Sequence, residues 1–304
     1  MDHKYPYFFI LAGAALWGII GIFVTFLYEL GFTPTQVVAI RALSAAFFLI
    51  VYVLYKNRKL LKIQFSDSKY FVGTGVISIV FFNWFLFSAI KETSISIAAI
   101  LLYTAPAFVT IFSRVLFKES LTPRKILALV TTFLGCTLVI GVLPNNNETV
   151  SFYGMMLGLG SGLFYALYSI FGKYALRKYD SLTVTVYTFI FAAIAITPFS
   201  GLWTVLPLFA NMQVWFYIIG LGFLSTMLAY ILYTKGLQSV ETSRASIIAT
   251  VEPVVAALLS FVVFQEKLNA WQYLGIIMVL LAVIIVQETK KERKNLITTK
   301  ASSF

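Results

Sequence analysis

Of the 304 residues one is a cysteine, one is a histidine, and only 12% are charged. Each scarcity removes a class of chemistry. The lone Cys136 can form no internal disulfide. The lone His3 stands at the start of the chain, and the aspartates Asp2, Asp67 and Asp180 all lie outside the long apolar runs. Hydrolysis inside a membrane needs a Ser–His pair, a zinc motif or an aspartate pair. None of these is in the apolar runs, and HExxH and GxSxG are absent. No catalytic residue, metal site or cofactor follows from the sequence. There is no Walker-type phosphate loop and no soluble stretch to house one. Nothing resembles a carbonyl selectivity filter or a repeated ring of charge, which argues against a channel.

What is abundant is apolar: 60% of the residues are hydrophobic, 17% are aromatic and the mean hydropathy is +0.90. A soluble chain carries about twice this charged fraction. The apolar residues form runs of about 18–23, the length that crosses a bilayer core. Ten spans are expected, at about 7–28, 35–55, 70–90, 95–117, 124–143, 152–175, 182–203, 213–234, 243–264 and 271–288. The runs are continuous rather than alternating, which excludes a β-barrel. The first apolar core is too long for a cleaved signal peptide and reads as a retained helix. The expectation is an all-α integral membrane protein whose first partner is the lipid bilayer.

The net charge of +11 would suit a nucleic-acid binder, but the basic residues sit in short loops. Nineteen of the 23 Lys and Arg fall on the side that holds both termini, and two, Lys91 and Lys267, on the other. The positive-inside rule then makes both termini cytoplasmic, and no nucleic-acid partner is called for.

Shifting the sequence by 147 residues lays Pro106 on Pro253, Glu119 on Glu266, Ser96 on Ser243 and Ser113 on Ser260, with no gap. Gly73 and Gly75 fall on Gly220 and Gly222. Between 96–121 and 243–268, 9 of 26 positions are identical. Each unit holds five spans, an odd number, so the two copies enter the membrane in opposite directions. The loop charges invert accordingly. Loop 56–69 carries five Lys or Arg and its copy near 204–212 carries none. Such inverted repeats are the usual framework of alternating access, with the solute site where matching helices are interrupted. Pro106 and Pro253 are such a pair, each removing one backbone bond near Leu102 and Ala249.

The segments ALWG (15–18), AIRALSA (39–45), YTAPAFVTIFSRVLFKESLT (103–122) and TVEPVVAALLSFVVFQEKL (250–268) resemble the repeated signature of EamA-like proteins of the drug/metabolite transporter superfamily. The resemblance implies a first EamA-like five-helix repeat over 1–147, a second over 148–290 and a basic cytoplasmic tail over 291–304. It implies a carrier of the bacterial inner membrane, often an exporter of amino acids or other small metabolites. It also implies a central cavity lined mainly by the first, third, fourth, sixth, eighth and ninth helices.

Glu252 is the one carboxylate well inside a span, and such groups are candidate functional sites by default. It either faces the cavity, to bind a substrate amine or a proton, or supports the kink at Pro253. Arg41 lies about two turns into its span. It pairs with Glu29, caps helix carbonyls or binds an anionic group. Trp17, Asn83, Trp84, Tyr103, Thr104, Tyr168, Tyr230 and Thr250 complete the substrate-binding candidates, with Tyr165 and Tyr233 beside them. Arg114 and Lys173 read as membrane-edge and orienting charges, and Glu119 and Glu266 as groups that secure helix ends. The glycines Gly154, Gly158 and Gly162, four residues apart, read as a close helix-packing stripe. The function expected is a secondary-active or facilitative transporter, working as a monomer on a small-molecule substrate, with protons as a candidate coupling partner. The alternatives are a carrier of lipid-like or drug-like amphipathic solutes and, more weakly, an intramembrane enzyme.

Overall fold

The computed structural model describes residues 5–141 and 151–287. His3, Glu288, the tripeptide Asn147–Glu148–Thr149 that matches a glycosylation sequon, and the tail 291–304 lie outside the described residues. Among the described residues all regular structure is helical. Nine segments are long and apolar enough to cross a membrane. They are α1 (Tyr5–Glu29), α2 (Pro34–Lys56), α3 (Phe65–Glu92), α4 (Ile95–Phe117), α5 (Pro123–Ile140), α6 (Phe152–Ala175), α7 (Ser181–Ser200), α8 (Met212–Ser239) and α9 (Thr242–Val263). A further apolar helix, α10 (Ala270–Val286), has 17 residues, about 25 Å at the helical rise. Helices are the natural outcome for such segments, because a bilayer offers no partner for an exposed backbone N–H or C=O.

Several helices start at a side-chain cap. Thr33 and Gln36 form a reciprocal capping box before α2, with Pro34 in the first turn. Asn269 and Gln272 do the same for α10. Thr122 caps α5 by accepting from the Lys125 N–H, and Asp180 caps α7 by accepting from the Leu182 N–H. Thr33 and Asp180 are 147 residues apart, as are Thr122 and Asn269. Caps of one kind thus recur at the 147-residue spacing.

The principal packed pairs are α1 with α8, α3 with α6, α2 with α7 and α5 with α10. Exchanging each helix with the one five places away turns the α1–α8 pair into α6–α3 and returns the other two pairs to themselves. Glycine sets the closest crossings. A Cβ on Gly75 of α3 would lie 2.4 Å from the Thr188 carbonyl oxygen and 2.9 Å from the Ala192 nitrogen of α7. Its copy Gly222 of α8 lies against the side chain of Ser44 of α2. The stripe of Gly154, Gly158 and Gly162 lies against Thr93 at the end of α3 and Leu101 and Thr104 of α4, so it is a packing surface.

Lys125 and Arg244, which read as loop charges, are buried, and Lys173 is half-buried. Lys125 is 1% exposed, with Nζ 3.0 Å from Glu241 Oε2. Arg244 is 3% exposed, donates from Nε to the same oxygen at 2.5 Å and reaches the Val286 carbonyl at the end of α10. Lys173 donates to the carbonyls of Leu237 at 2.6 Å and Val240 at 2.8 Å, covering the otherwise unpaired C-terminal end of α8. Together these bonds seal the basic face of the molecule.

Two outcomes follow. Gly75→Ala is expected to lower thermal stability in detergent by about 1–3 kcal/mol, because the obstructing atoms are backbone. Gly21→Ala, whose Cβ meets nothing within 4 Å, is expected to leave the melting temperature unchanged. Burial by itself raises the Glu241 carboxyl, but the bonds and charges of Arg244 and Lys125 outweigh it and hold it below the usual value. Its contribution to stability is therefore complete above its unfolded value, about pH 4.3, and is lost as the pH falls through the lower folded value. Melting curves taken between neutral pH and acid should show this loss, and Glu241→Gln should remove that part of it.

Candidate functional site

Two of the spans are interrupted mid-course. α4 breaks at Tyr103–Thr104 and restarts at Ala105, with Pro106 in its new first turn. α9 breaks at Thr250 and restarts at Val251, with Pro253 close behind. Proline explains why the helix cannot run through, and threonine explains how the break is tolerated. Thr104 Oγ1 donates to the Leu101 carbonyl and Thr250 Oγ1 to the Ile247 carbonyl, each at 2.6 Å. In a bilayer such freed groups need a partner inside the protein.

Beside the breaks the helices meet in a column of rings. Tyr165 of α6 donates its hydroxyl to Glu252 Oε2 at 3.2 Å. Trp17 of α1 lies 6.5 Å from the Tyr165 ring, 4.9 Å from Tyr230 and 4.8 Å from Tyr233. Tyr230 is edge-on to Tyr168 at 5.0 Å and to Phe189 at 4.8 Å. Over the far side of Tyr230, 5.8 Å from its centroid, stands the guanidinium of Arg41. The order through space is thus Glu252, Tyr165, Trp17, Tyr230, Arg41: an acid at one end, a base at the other and aromatic faces between.

Among the described residues no bond joins Arg41 to Glu29 or to a carbonyl, the two structural roles that its position suggests. Its Nε donates to Thr226 Oγ1 at 3.0 Å. The cause is local. α8 is wound as a π-helix over Gly220–Leu228, and Thr226 donates back five residues to the Leu221 carbonyl at 2.7 Å, which leaves its oxygen to accept from α2. α3 carries a π-helical stretch at the matching place, Val72–Val80. Widened turns of this kind are frequent at functional sites.

The hydroxyls of the column are held from behind. Tyr168 OH bonds Thr234 Oγ1 at 2.6 Å and Tyr233 OH bonds Ser169 Oγ at 2.7 Å. One donor of the column is left over: the indole Nε1 of Trp17, a residue 5% exposed, has no partner among the described residues. Orphaned buried N–H groups are rare and costly. Two small voids adjoin the column, each of about 10 Å³. One lies among Tyr103, Pro106, Tyr165, Ser169, Tyr233 and Thr250, and the other among Trp17, Ser78, Phe82, Tyr168 and Tyr230. That space holds about one water. The helices around these two voids are α1, α3, α4, α6, α8 and α9.

A larger space lies elsewhere. Beyond the close crossing at Gly75, a cleft of about 520 Å³ separates the C-terminal part of α3 from α2 and α7 and is lined by Thr35, Asn83, Trp84, Phe87, Lys91 and Phe199, among others. Asn83 is buried on its floor, donating Nδ2 to the Ile79 carbonyl at 2.7 Å. Trp84 stands on its rim, 59% exposed. The structure therefore brings together Trp17, Tyr103, Thr104, Tyr168, Tyr230, Thr250, Glu252 and Arg41, and sets Asn83 and Trp84 in a separate cleft. Composition offered no signal for the roles of Thr226, Ser169 and Thr234, which are common polar residues placed by the π-turn and the helix crossings.

A family model, the EamA-like transporter family, matches residues 4–141 and again 152–287. The chain belongs to the EamA-like transporter family. It is 28% identical over 265 residues to the uncharacterized transporter YyaM of Bacillus subtilis, covering 84% of this chain and 86% of that one. It is 32% identical over 198 residues to an uncharacterized transporter of Archaeoglobus fulgidus, covering 65% and 69%. The uncharacterized inner membrane transporter YicL of Salmonella typhimurium is 22% identical over 297 residues, covering 93% and 95%. A solved crystal structure shares the fold at a TM-score of 0.78, over 94% of this chain and 97% of that chain, at 16% identity. This EamA-like chain is a multi-pass membrane protein of the transporter class.

Replacing the orphaned donor separates stability from function. Trp17→Phe removes a buried N–H whose desolvation costs about 1–3 kcal/mol along with some packing. Its melting temperature is expected to stay within a few degrees of the parent. Its half-saturation in solute counterflow should rise about tenfold, the loss of one hydrogen bond to a charged group.

Proposed function

We propose that this protein is a secondary or facilitative carrier that exports amino acids or related small organic metabolites by alternating access. On this reading ten helices cross the bacterial cytoplasmic membrane as two inverted five-helix repeats, and both termini are cytoplasmic. The 19-to-2 division of Lys and Arg supports the orientation. The caps, glycine crossings and π-turns that recur 147 residues apart support the repeat.

The observation that carries the proposal is the ring column with Glu252 at one end, Arg41 at the other and the unpartnered Trp17 N–H between them. A zwitterion fits that arrangement. Its ammonium is taken by Glu252 and by the aromatic faces. Its carboxylate accepts from Arg41 and from the indole N–H, as charge-assisted bonds. Tyr168 and Tyr233 are already engaged with Thr234 and Ser169, so the polar capacity left at Glu252, Arg41 and the indole N–H belongs to the solute. The small voids correspond to a closed centre that must widen to admit it. The cleft between α2 and α3 is the approach from the face opposite the sealed basic one. Its apolar walls and Lys91 favour the second reading, a carrier of amphipathic anions.

Counterflow of a labelled amino-acid and metabolite panel in proteoliposomes tests the proposal, with a pH gradient imposed or absent. Exchange should be saturable and accelerated by solute on the far side, which a simple pore does not do. Glu252→Gln and Arg41→Gln are each expected to lose at least about tenfold in transport efficiency, as befits a charge-assisted bond. Wild-type exchange by both variants would return Glu252 to kink support and Arg41 to packing.

A further inference from the structure

The two broken helices end alike and then bond differently. After α4 the chain turns through Lys118 at φ 56°, and after α9 through Gln265 at φ 57°. These two left-handed residues are 147 positions apart, and L-residues take that conformation only where the surroundings require it. Glu119 and Glu266 follow, and their N–H groups donate to the carbonyls of Ser113 and Ser260 at 3.2 and 3.4 Å. Here the likeness stops. The Glu119 carboxylate crosses to the first turn of α9, accepting from the Thr242 N–H at 2.6 Å, the Ser243 N–H at 3.1 Å and the Ser243 hydroxyl at 2.5 Å. The Glu266 carboxylate folds back and accepts from Ser260 Oγ at 2.6 Å. Glu119 is 9% exposed, whereas Glu266 is exposed. The residues that match Thr242 and Ser243 are Ile95 and Ser96 at the start of α4. Among the described residues no carboxylate reaches their N–H groups. The C-terminal half of α4 packs on the N-terminal half of α9, and the opposite halves stand apart.

We propose that Glu119 with Ser243 and Glu266 with Ser96 are the two alternative clasps of one gate. Whichever face is closed, the carboxylate beyond the end of one broken helix caps the exposed N–H groups at the start of the other. This rests on the alternating-access reading above. The chemistry suits a switch. A helix start presents unpaired donors and a positive field, so a carboxylate binds there without a dedicated pocket. A released carboxylate still has its own serine, Ser113 or Ser260, so neither state strands it. The two clasps are unequal. The residue before α9, Glu241, does not cap that helix with its side chain, whereas Ser94 already caps α4 by accepting from the Ile97 N–H. Lys125 also stands 3.9 Å from Glu119, and its matching residue is the neutral Gln272. The Glu119 clasp is therefore the resting one.

Cysteine pairs in the full chain, reconstituted in liposomes with Cys136→Ser, test the proposal without any solute. One pair is Glu119→Cys with Ser243→Cys, the other Ser96→Cys with Glu266→Cys. Both pairs should oxidise to disulfides, the first faster. In the chain with all four cysteines, mass spectrometry after thiol alkylation should find no more than one of the two disulfides per molecule. Ser243→Ala or Glu119→Gln, placed in the 96–266 pair, should speed its closure about tenfold, the loss of a charge-assisted bond. A 96–266 pair that never closes while 119–243 does, both disulfides in one molecule, or no acceleration by either variant would each overturn it. Counterflow is not part of the readout, so failure of the clasp and failure of the carrier reading are told apart.

Discussion

Everything in this fold answers to one constraint: inside a bilayer each backbone N–H and C=O must find its partner within the protein. Continuous helices meet it without help, and most of the chain is continuous helix. The places that depart from it are the informative ones. α4 and α9 are broken by proline, and a threonine hydroxyl covers the carbonyl beside each break. α8 ends on carbonyls that Lys173 covers. α9 begins on N–H groups that Glu119 covers. In each case a side chain completes what the local backbone lacks, and at Lys173 and Glu119 it also ties two helices together.

The same constraint explains why the molecule is symmetric in its scaffold and asymmetric in its chemistry. Caps, left-handed turns, π-wound stretches and glycine crossings recur at one spacing because they are backbone requirements, and both halves have the same backbone to satisfy. The charged groups carry no such obligation. Glu252 corresponds to Ala105 and Arg41 to Thr188, so the acid and the base at the two ends of the ring column break the symmetry. A buried charge is expensive without a partner. Glu252 has a tyrosine hydroxyl and Arg41 a threonine hydroxyl with a ring face, which hold each group in place and leave bonding capacity for a ligand.

The closed centre and the open cleft belong together. On the basic face, hydroxyl pairs, ion pairs and the Glu119 cap pack α6, α8, α4 and α9 against one another. On the other face the C-terminal part of α3 stands away from α2 and α7, beyond its close crossing with α7 at Gly75.

The sequence by itself determined that the chain is helical and membrane-embedded, where its long apolar runs fall, that residues recur at a spacing of 147, and that Glu252, Pro106 and Pro253 are exceptional. Composition and spacing carry those facts, because hydrophobic length, a fixed spacing and a proline or acid in an apolar run are read directly from the letters. Trp17, Tyr168 and Tyr230 were legible only as members of an abundant aromatic class. That they share a column while Asn83 and Trp84 line another cleft depends on how α1, α3, α6 and α8 are rotated at their crossings. The hydroxyl partner of Arg41 arose from a π-turn in a distant helix, and the different bonding of Glu119 and Glu266 from which ends of α4 and α9 are in contact. These are long-range relations between segments of almost equal hydropathy. Burial alone does not distinguish their faces, so only the tertiary structure decided them.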